Sequence, residues 1–168
     1  MSASAHPKLA MRPFLPADAP LLAEIFRASV AELTADDYSE GQQQAWMSAA
    51  DDEQEFAARL ADGVTLLGTI DGSPVGFASL AGADRLDMLY VHPAVAGEGV
   101  GSMLLDALER LARSRGAARL TAEVSDSAQD FFRRRGFSPR QRNSVPLGGE
   151  WLANTTMEKQ LAAKERAQ

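Results

Sequence analysis

A chain of 168 residues is long enough for one domain with a substantial apolar core, and 45% hydrophobic against 24% charged residues is the balance of an ordinary globular protein. Its 17 basic and 23 acidic residues leave a formal charge of −6 and a pI near 4.9, which argues against a nucleic-acid partner. Without a single cysteine there is no disulfide, thiolate metal ligand or cysteine nucleophile, and His6 and His92, far apart, offer too little for a dedicated zinc site.

Residues 1–7 lack the basic start and apolar run of a signal peptide and are expected to form a flexible start. No stretch approaches the roughly 18 apolar residues that cross a bilayer, so no membrane partner and a cytoplasmic location are expected. Lys8 to Phe14 reads as a first strand. Asp18 is a candidate N-cap for a helix whose buried stripe is Leu21, Leu22, Ile25, Phe26, Ser29, Val30 and Leu33. Thr34 to Glu40 is polar, with Tyr38 at its middle, and Gln42 to Met47 can make a short helix carrying Trp46. Asp51 and Gln54 have the spacing of a capping-box variant, and the helix through Phe56 and Leu60 should stop at Gly63. Val64 to Ile70 and Val75 to Leu80 flank Asp71-Gly72, a hairpin signal.

Leu86 to Val91 is a strand ended by Pro93. A loop with Gly97, Gly99 and Gly101 leads into a helix whose apolar stripe is Val100, Met103, Leu104, Ala107, Leu108, Leu111 and Ala112, closing at Gly116. Glu109 with Arg113, and Asp106 with Arg110, have the spacing of surface ion pairs, worth about 0.3–0.5 kcal/mol each on a solvated face. Arg119 to Val124 follows a crossover helix and should lie parallel to the strand before the loop. A short helix from Ala128 to Arg135 closes at Gly136, and Phe137 to Val145 with Trp151 to Lys159 reads as a final antiparallel pair. The fold class is therefore α/β, residues 8–160 forming a single domain and 161–168 a charged tail, with neither repeat nor linker between.

Glycine lets a ligand approach backbone without a Cβ in the way, and the first amides of a helix are unpartnered and favour negative charge. The strand, glycine loop and helix can thus cradle a phosphate or be a tight turn and nothing more. A nucleotide-binding P-loop is excluded locally, because no Gly-Lys-Ser/Thr follows.

Leu89-Tyr90-Val91-His92-Pro93 with Gly97-Glu98-Gly99-Val100-Gly101, and Ser125 to Phe137 ending Arg135-Gly136-Phe137, resemble the two signature blocks of the GCN5-related N-acetyltransferase (GNAT) family. The resemblance covers residues 8–160. It implies a mixed, mostly antiparallel sheet with a parallel pair between the fourth and fifth strands and helices on both faces. It also implies acetyl-CoA as acyl donor, a small-molecule or peptide amine as acceptor attacking directly, and no metal; a homodimer stays open. Carried over by residue, the backbone of Leu89, Tyr90 and Val91 would pair with the pantetheine arm, and the amides from Gly97 through Glu98, Gly99, Val100 and Gly101 to Ser102 would hold the pyrophosphate. Ser125 stands where the family often has an asparagine near the cofactor arm. Two departures stand out: Ala96 and Glu98 replace the usual polar or basic loop residues, and Phe132 stands where a tyrosine usually protonates the leaving thiolate. The second motivates an alternative from another class, a catalytically weak acyl-CoA-binding or sensor module.

Transfer to an amine needs its proton removed, and a carboxylate is the usual means. Asp87 is the first candidate base, on the face of Leu89 and Val91 if the strand alternates, and otherwise a surface charge. Glu123 on the neighbouring strand is the second. Tyr38 could act as acid or, with Trp46, wall the acceptor pocket; Trp151 and Asn154 could close it, or simply pack and turn. His92 reads as a turn residue and Tyr90 mainly as core. The run Asp36, Asp37, Asp51, Asp52, Glu53 and Glu55 suggests a cationic acceptor, or a solvated face.

Overall fold

A computed structural model describes residues 8–161; the expected flexible start, and the expected tail beyond Leu161, lie outside the described residues. Strands β1 (Leu9–Pro13), β2 (Val64–Ile70), β3 (Ser73–Ala81), β4 (Arg85–Val91), β5 (Arg119–Ser125), β6 (Ser138–Leu147) and β7 (Glu150–Gln160) form one sheet in the order β1-β2-β3-β4-β5-β7-β6. Every neighbouring pair is antiparallel except β4 and β5.

Helices α1 (Ala19–Leu33), α2 (Glu40–Met47) and α3 (Glu53–Asp62) precede β2; α4 (Val100–Ser114) and the short α5 (Gln129–Arg134) flank β5. Two apolar clusters show how they are layered. Leu104, Leu105 and Leu108 of α4 and Phe132 of α5 pack with Leu86, Leu120, Val124 and Met157 on one face. Leu22, Ile25, Phe26 and Val30 of α1 pack with Phe56 and Leu60 of α3 over Leu67, Phe77 and Met88 on the other. α4 lies close because Gly76 has no side chain: a Cβ there would come within 3.0 Å of Val100 Cγ1.

Several local expectations are corrected. Asp18 does not cap α1 with its side chain. It sits at the end of a 3₁₀ turn, where Arg12 Nη1 and Nη2 donate to it at 2.9 and 2.8 Å and the Leu15 amide at 2.8 Å, a stronger claim on its oxygens than a cap. α3 is capped by Asp52, which accepts from the Glu55 amide at 3.0 Å, not by Asp51. Ser39 and Gln42 form a full capping box on α2, which therefore begins at Glu40, two residues before the expected start at Gln42. Glu109 is no surface residue: it is 4% exposed and takes Lys159 Nζ of β7 at 2.7 Å, while Arg113 donates to the Leu161 carbonyl.

The splayed strands and the candidate active site

β4 and β5 pair only at Arg85↔Thr121 and Leu86↔Ala122 and then diverge. Beyond Leu86 the β4 edge facing β5 therefore has no ladder partner, and alternate amides and carbonyls are free for a guest. The wedge is a cavity of about 260 Å³. Its walls include Asp87, Leu89, Tyr90 and Val91 of β4, Glu123 and Ser125 of β5, and Phe131 and Phe132 of α5. α1 contributes Ser29, Val30 and Leu33, its C-cap contributes Thr34, and α2 contributes Trp46. Val91, Gly101 and Phe131 also line a second cavity, which holds the glycine loop.

The loop builds that second site. Gly97 and Gly99 lie at φ +83° and +91°, values a side chain would strain, and a Cβ at either would point into open space. Gly99 is the N-cap of α4, and the first amide its carbonyl takes is that of Met103, at 3.0 Å. The amides of Val100, Gly101 and Ser102 consequently lack helical partners. Glu98 is exposed and its residue is not part of the cavity wall, so only its backbone could serve there. The wall does contain Arg134 and Arg135, which the sequence left out.

Asp87 is placed differently from the expectation. In the pairing of β3 with β4, Leu80 faces Leu86 and Ser79 faces Met88, so Asp87 is the extra residue of a β-bulge. The bulge reverses the alternation: Leu86 packs with α4, Met88 with α1 and α3, and Asp87 no longer shares the face of Leu89 and Val91. Its carboxylate instead takes Arg59 Nε at 2.9 Å, Arg59 Nη2 at 3.2 Å and Arg85 Nη1 at 2.9 Å. Burial raises its pKa, but the hydrogen bonds and charges of Arg59 and Arg85 outweigh that and hold it below the usual carboxylate range. A carboxylate so held is a poor proton acceptor. Because the folded value is depressed, the stabilisation is present above the unfolded value of about 3.9 and is lost as pH falls through the lower folded one. Asp87→Asn should therefore be less stable than the wild type at pH 7, with the difference starting to shrink in urea unfolding only as pH falls below about 3.9.

Glu123 is the better-placed carboxylate. It is exposed, lines the cavity, and is oriented by Asn143 Nδ2 at 2.9 Å and Thr156 Oγ1 at 2.9 and 3.0 Å. No ion pair among the described residues engages it. Asn154 joins the same group, accepting from Asn143 at 2.9 Å, but does not line the cavity.

Tyr38 stands outside the cavity lining, with its hydroxyl engaged by backbone groups. It is 6% exposed, donates to the Ala153 carbonyl at 2.6 Å, accepts from the Asp126 amide at 2.9 Å, and stands edge-on to Trp46. Its hydroxyl ties the α1–α2 connection to the turn that follows β5 and to β7. Trp46 does line it, donating Nε1–H to the Tyr90 hydroxyl at 3.2 Å. Tyr90 packs edge-on against Phe26 while also forming cavity wall, and burial raises its pKa, keeping it protonated. Trp151 is 62% exposed and away from the cavity. None of the six residues of the acidic run lines it either. His92 Nδ1 accepts from the Ala94 amide at 3.1 Å, a local turn contact. Phe132 packs edge-on with Phe137 and is 5% exposed.

The family model described as an acetyltransferase (GNAT) domain matches residues 34–161. The chain belongs to the GNAT acetyltransferase family. It is 33% identical over 147 residues to the "Uncharacterized N-acetyltransferase YafP" of Escherichia coli K12, covering 88% of this chain and 93% of that one. Among solved structures it is similar to a GCN5-related N-acetyltransferase from Rhodopseudomonas palustris, also labelled aminotransferase class II, at 57% identity and TM-score 0.89, covering 95% and 99% of the two chains. The PaiA N-acetyltransferase of Thermoplasma acidophilum, solved with coenzyme A, shares the fold at 20% identity and TM-score 0.76, covering 91% and 99%. The protein is thus an N-acetyltransferase of the GNAT fold that uses acetyl-CoA and an amine acceptor. No helix among the described residues is long and apolar enough to cross a membrane.

Proposed function

We propose that this GNAT protein acetylates a primary alkylamine, such as a lysine side chain of a peptide or a small molecule of like form, with Glu123 receiving the amine. The observation that carries the reading is the β4–β5 wedge, which joins the glycine loop at a wall shared through Val91, Gly101 and Phe131 and also exposes Glu123. The residues fit acetyl-CoA: the free β4 edge suits an extended amide-bearing arm, and the open loop with unpartnered helix amides suits its pyrophosphate. When bound, the coenzyme supplies the acetyl group as a thioester.

The remaining work falls to the chain itself. The backbone of Leu89, Tyr90 and Val91 holds the arm in line, and the amides from Gly97 to Ser102 hold its anionic end. Ser125 and Phe132 form wall beside the arm. Trp46, Tyr90, Val30 and Leu33 line the same cavity as Glu123 and would offer apolar wall to a methylene stem whose amine meets that carboxylate. An alkylammonium has a pKa near 10, so at neutral pH Glu123, held by Asn143 and Thr156, accepts the proton directly or through one water. With no cysteine in the chain, a cysteinyl acyl intermediate is excluded. In direct transfer the neutral amine would form the amide C–N bond as the thioester C–S bond breaks, and the released coenzyme A thiolate, with Phe132 in place of a tyrosine acid, would take its proton from water. A lysine-type acceptor also agrees with the "Peptidyl-lysine N-acetyltransferase YjaB" of Salmonella typhimurium, 32% identical over 77 residues, 46% of this chain and 51% of that one.

The test is release of coenzyme A from acetyl-CoA with lysine peptides, polyamines and simple alkylamines as acceptors, the amide product confirmed by mass. Saturable turnover with at least one alkylamine is expected. Tight coenzyme A binding without turnover on any of them would favour the sensor module, for which Phe132 in place of a tyrosine is the motive.

A further inference from the structure

The glycine loop carries no positive side chain: Ala96 and Glu98 stand in it, and Asp106 adds a carboxylate to the wall of its cavity. A dianionic pyrophosphate held by amides alone beside that carboxylate would be held weakly. The structure supplies the charge from another element. Arg135, immediately after α5, lays its guanidinium over the Phe131 ring, 4.0 Å from the centroid, donates to the Phe131 carbonyl at 3.2 Å, and reaches Ser102 Oγ in the first turn of α4. Three contacts fix a flexible side chain, so little further ordering is lost when it meets a ligand. Those contacts use two of its five N–H groups. No ion pair among the described residues involves Arg134 or Arg135. A rigid cation without a carboxylate partner, on the wall of the cavity where an anion is expected, is a built recognition element and not a surface charge.

We propose that Arg135, supported by Arg134, is the clamp for the pyrophosphate of coenzyme A, standing in for the basic loop residue that Ala96 and Glu98 do not provide. Phe131 makes the clamp specific to this chain's layout: its ring is both the platform for Arg135 and the wall shared by the two cavities, so the cation is set at the junction of arm and phosphate. The inference rests on the acetyl-CoA reading and concerns binding, which can be measured without any acceptor.

Calorimetric titration of coenzyme A, dephospho-coenzyme A and pantetheine into the wild type, Arg135→Ala and Arg135→Lys tests it. Loss of a charge-assisted contact should weaken the first two ligands by roughly 10- to 100-fold in Arg135→Ala, leave pantetheine unchanged, and flatten the salt dependence of binding. Arg135→Lys should recover part of the loss as a point charge without the fork. Equal coenzyme A affinity in wild type and Arg135→Ala overturns the clamp. So does an equal loss for pantetheine, which would mean that Phe131 has shifted, and so does a loss confined to coenzyme A, which would move the contact to the 3′-phosphate. A wild type that binds none of the three overturns the acetyl-CoA reading itself, a distinct outcome. Unchanged thermal unfolding of the variants separates each result from misfolding.

Discussion

Glu123→Gln should lower kcat for a lysine-type acceptor by about 100-fold at pH 7, the lower part of the range for a lost general base. Gln keeps the shape and can still accept the Thr156 hydroxyl proton, so the coenzyme's affinity and the melting temperature should be unchanged. The loss should shrink as pH rises toward 10, because a growing fraction of the acceptor is then already neutral and needs no base. That convergence distinguishes removal of a base from loss of acceptor affinity, which would raise KM at every pH. Asp87→Asn, in the same assay, should leave the pH profile in place, since its carboxylate is committed to Arg59 and Arg85. If Asp87→Asn flattens the profile and Glu123→Gln does not, the assignment of roles is reversed.

The contrast between these two carboxylates shows where sequence stops being legible. Apolar spacing locates the strands, and the glycines and the Gly-Phe pair locate the loop and the short helix, because each signal is local. The face on which Asp87 emerges depends on a bulge against β3, and a one-residue slip exchanges every side chain between faces. Nothing in Leu86 to Val91 announces it. Glu123 gains its standing from Asn143 and Thr156, brought opposite it by β6 and β7, whose own register shifts between Pro139 and Gln141. Tyr38 fails for a related reason: its hydroxyl meets Asp126 and Ala153, 88 and 115 residues away. A signal could have flagged Arg135, since it lies inside the block ending Gly136-Phe137, but its stacking on Phe131 is a matter of side-chain geometry that helical spacing only permits.

Lys159→Met should destabilise the protein by about 3 kcal/mol. Glu109 is buried on the inner side of α4, and Lys159 of β7 is the cation paired with it, at 2.7 Å. Removing that cation leaves a buried carboxylate without its paired charge, which is costly. The value is set at the low end for buried pairs because Lys159 retains some contact with solvent; its side chain is 24% exposed. Glu109→Leu combined with Lys159→Met should recover most of the loss, since an apolar pair of similar volume replaces desolvated charges. Urea unfolding of the two single variants and the double gives the coupling directly. A double variant as unstable as the worse single one would mean that the pair sets the docking angle of α4 on β7, and α4 carries Gly101 and Ser102 into the loop cavity. Coenzyme A affinity measured on the same three proteins would then fall with stability, linking a buried ion pair that lines neither cavity to the geometry of the loop.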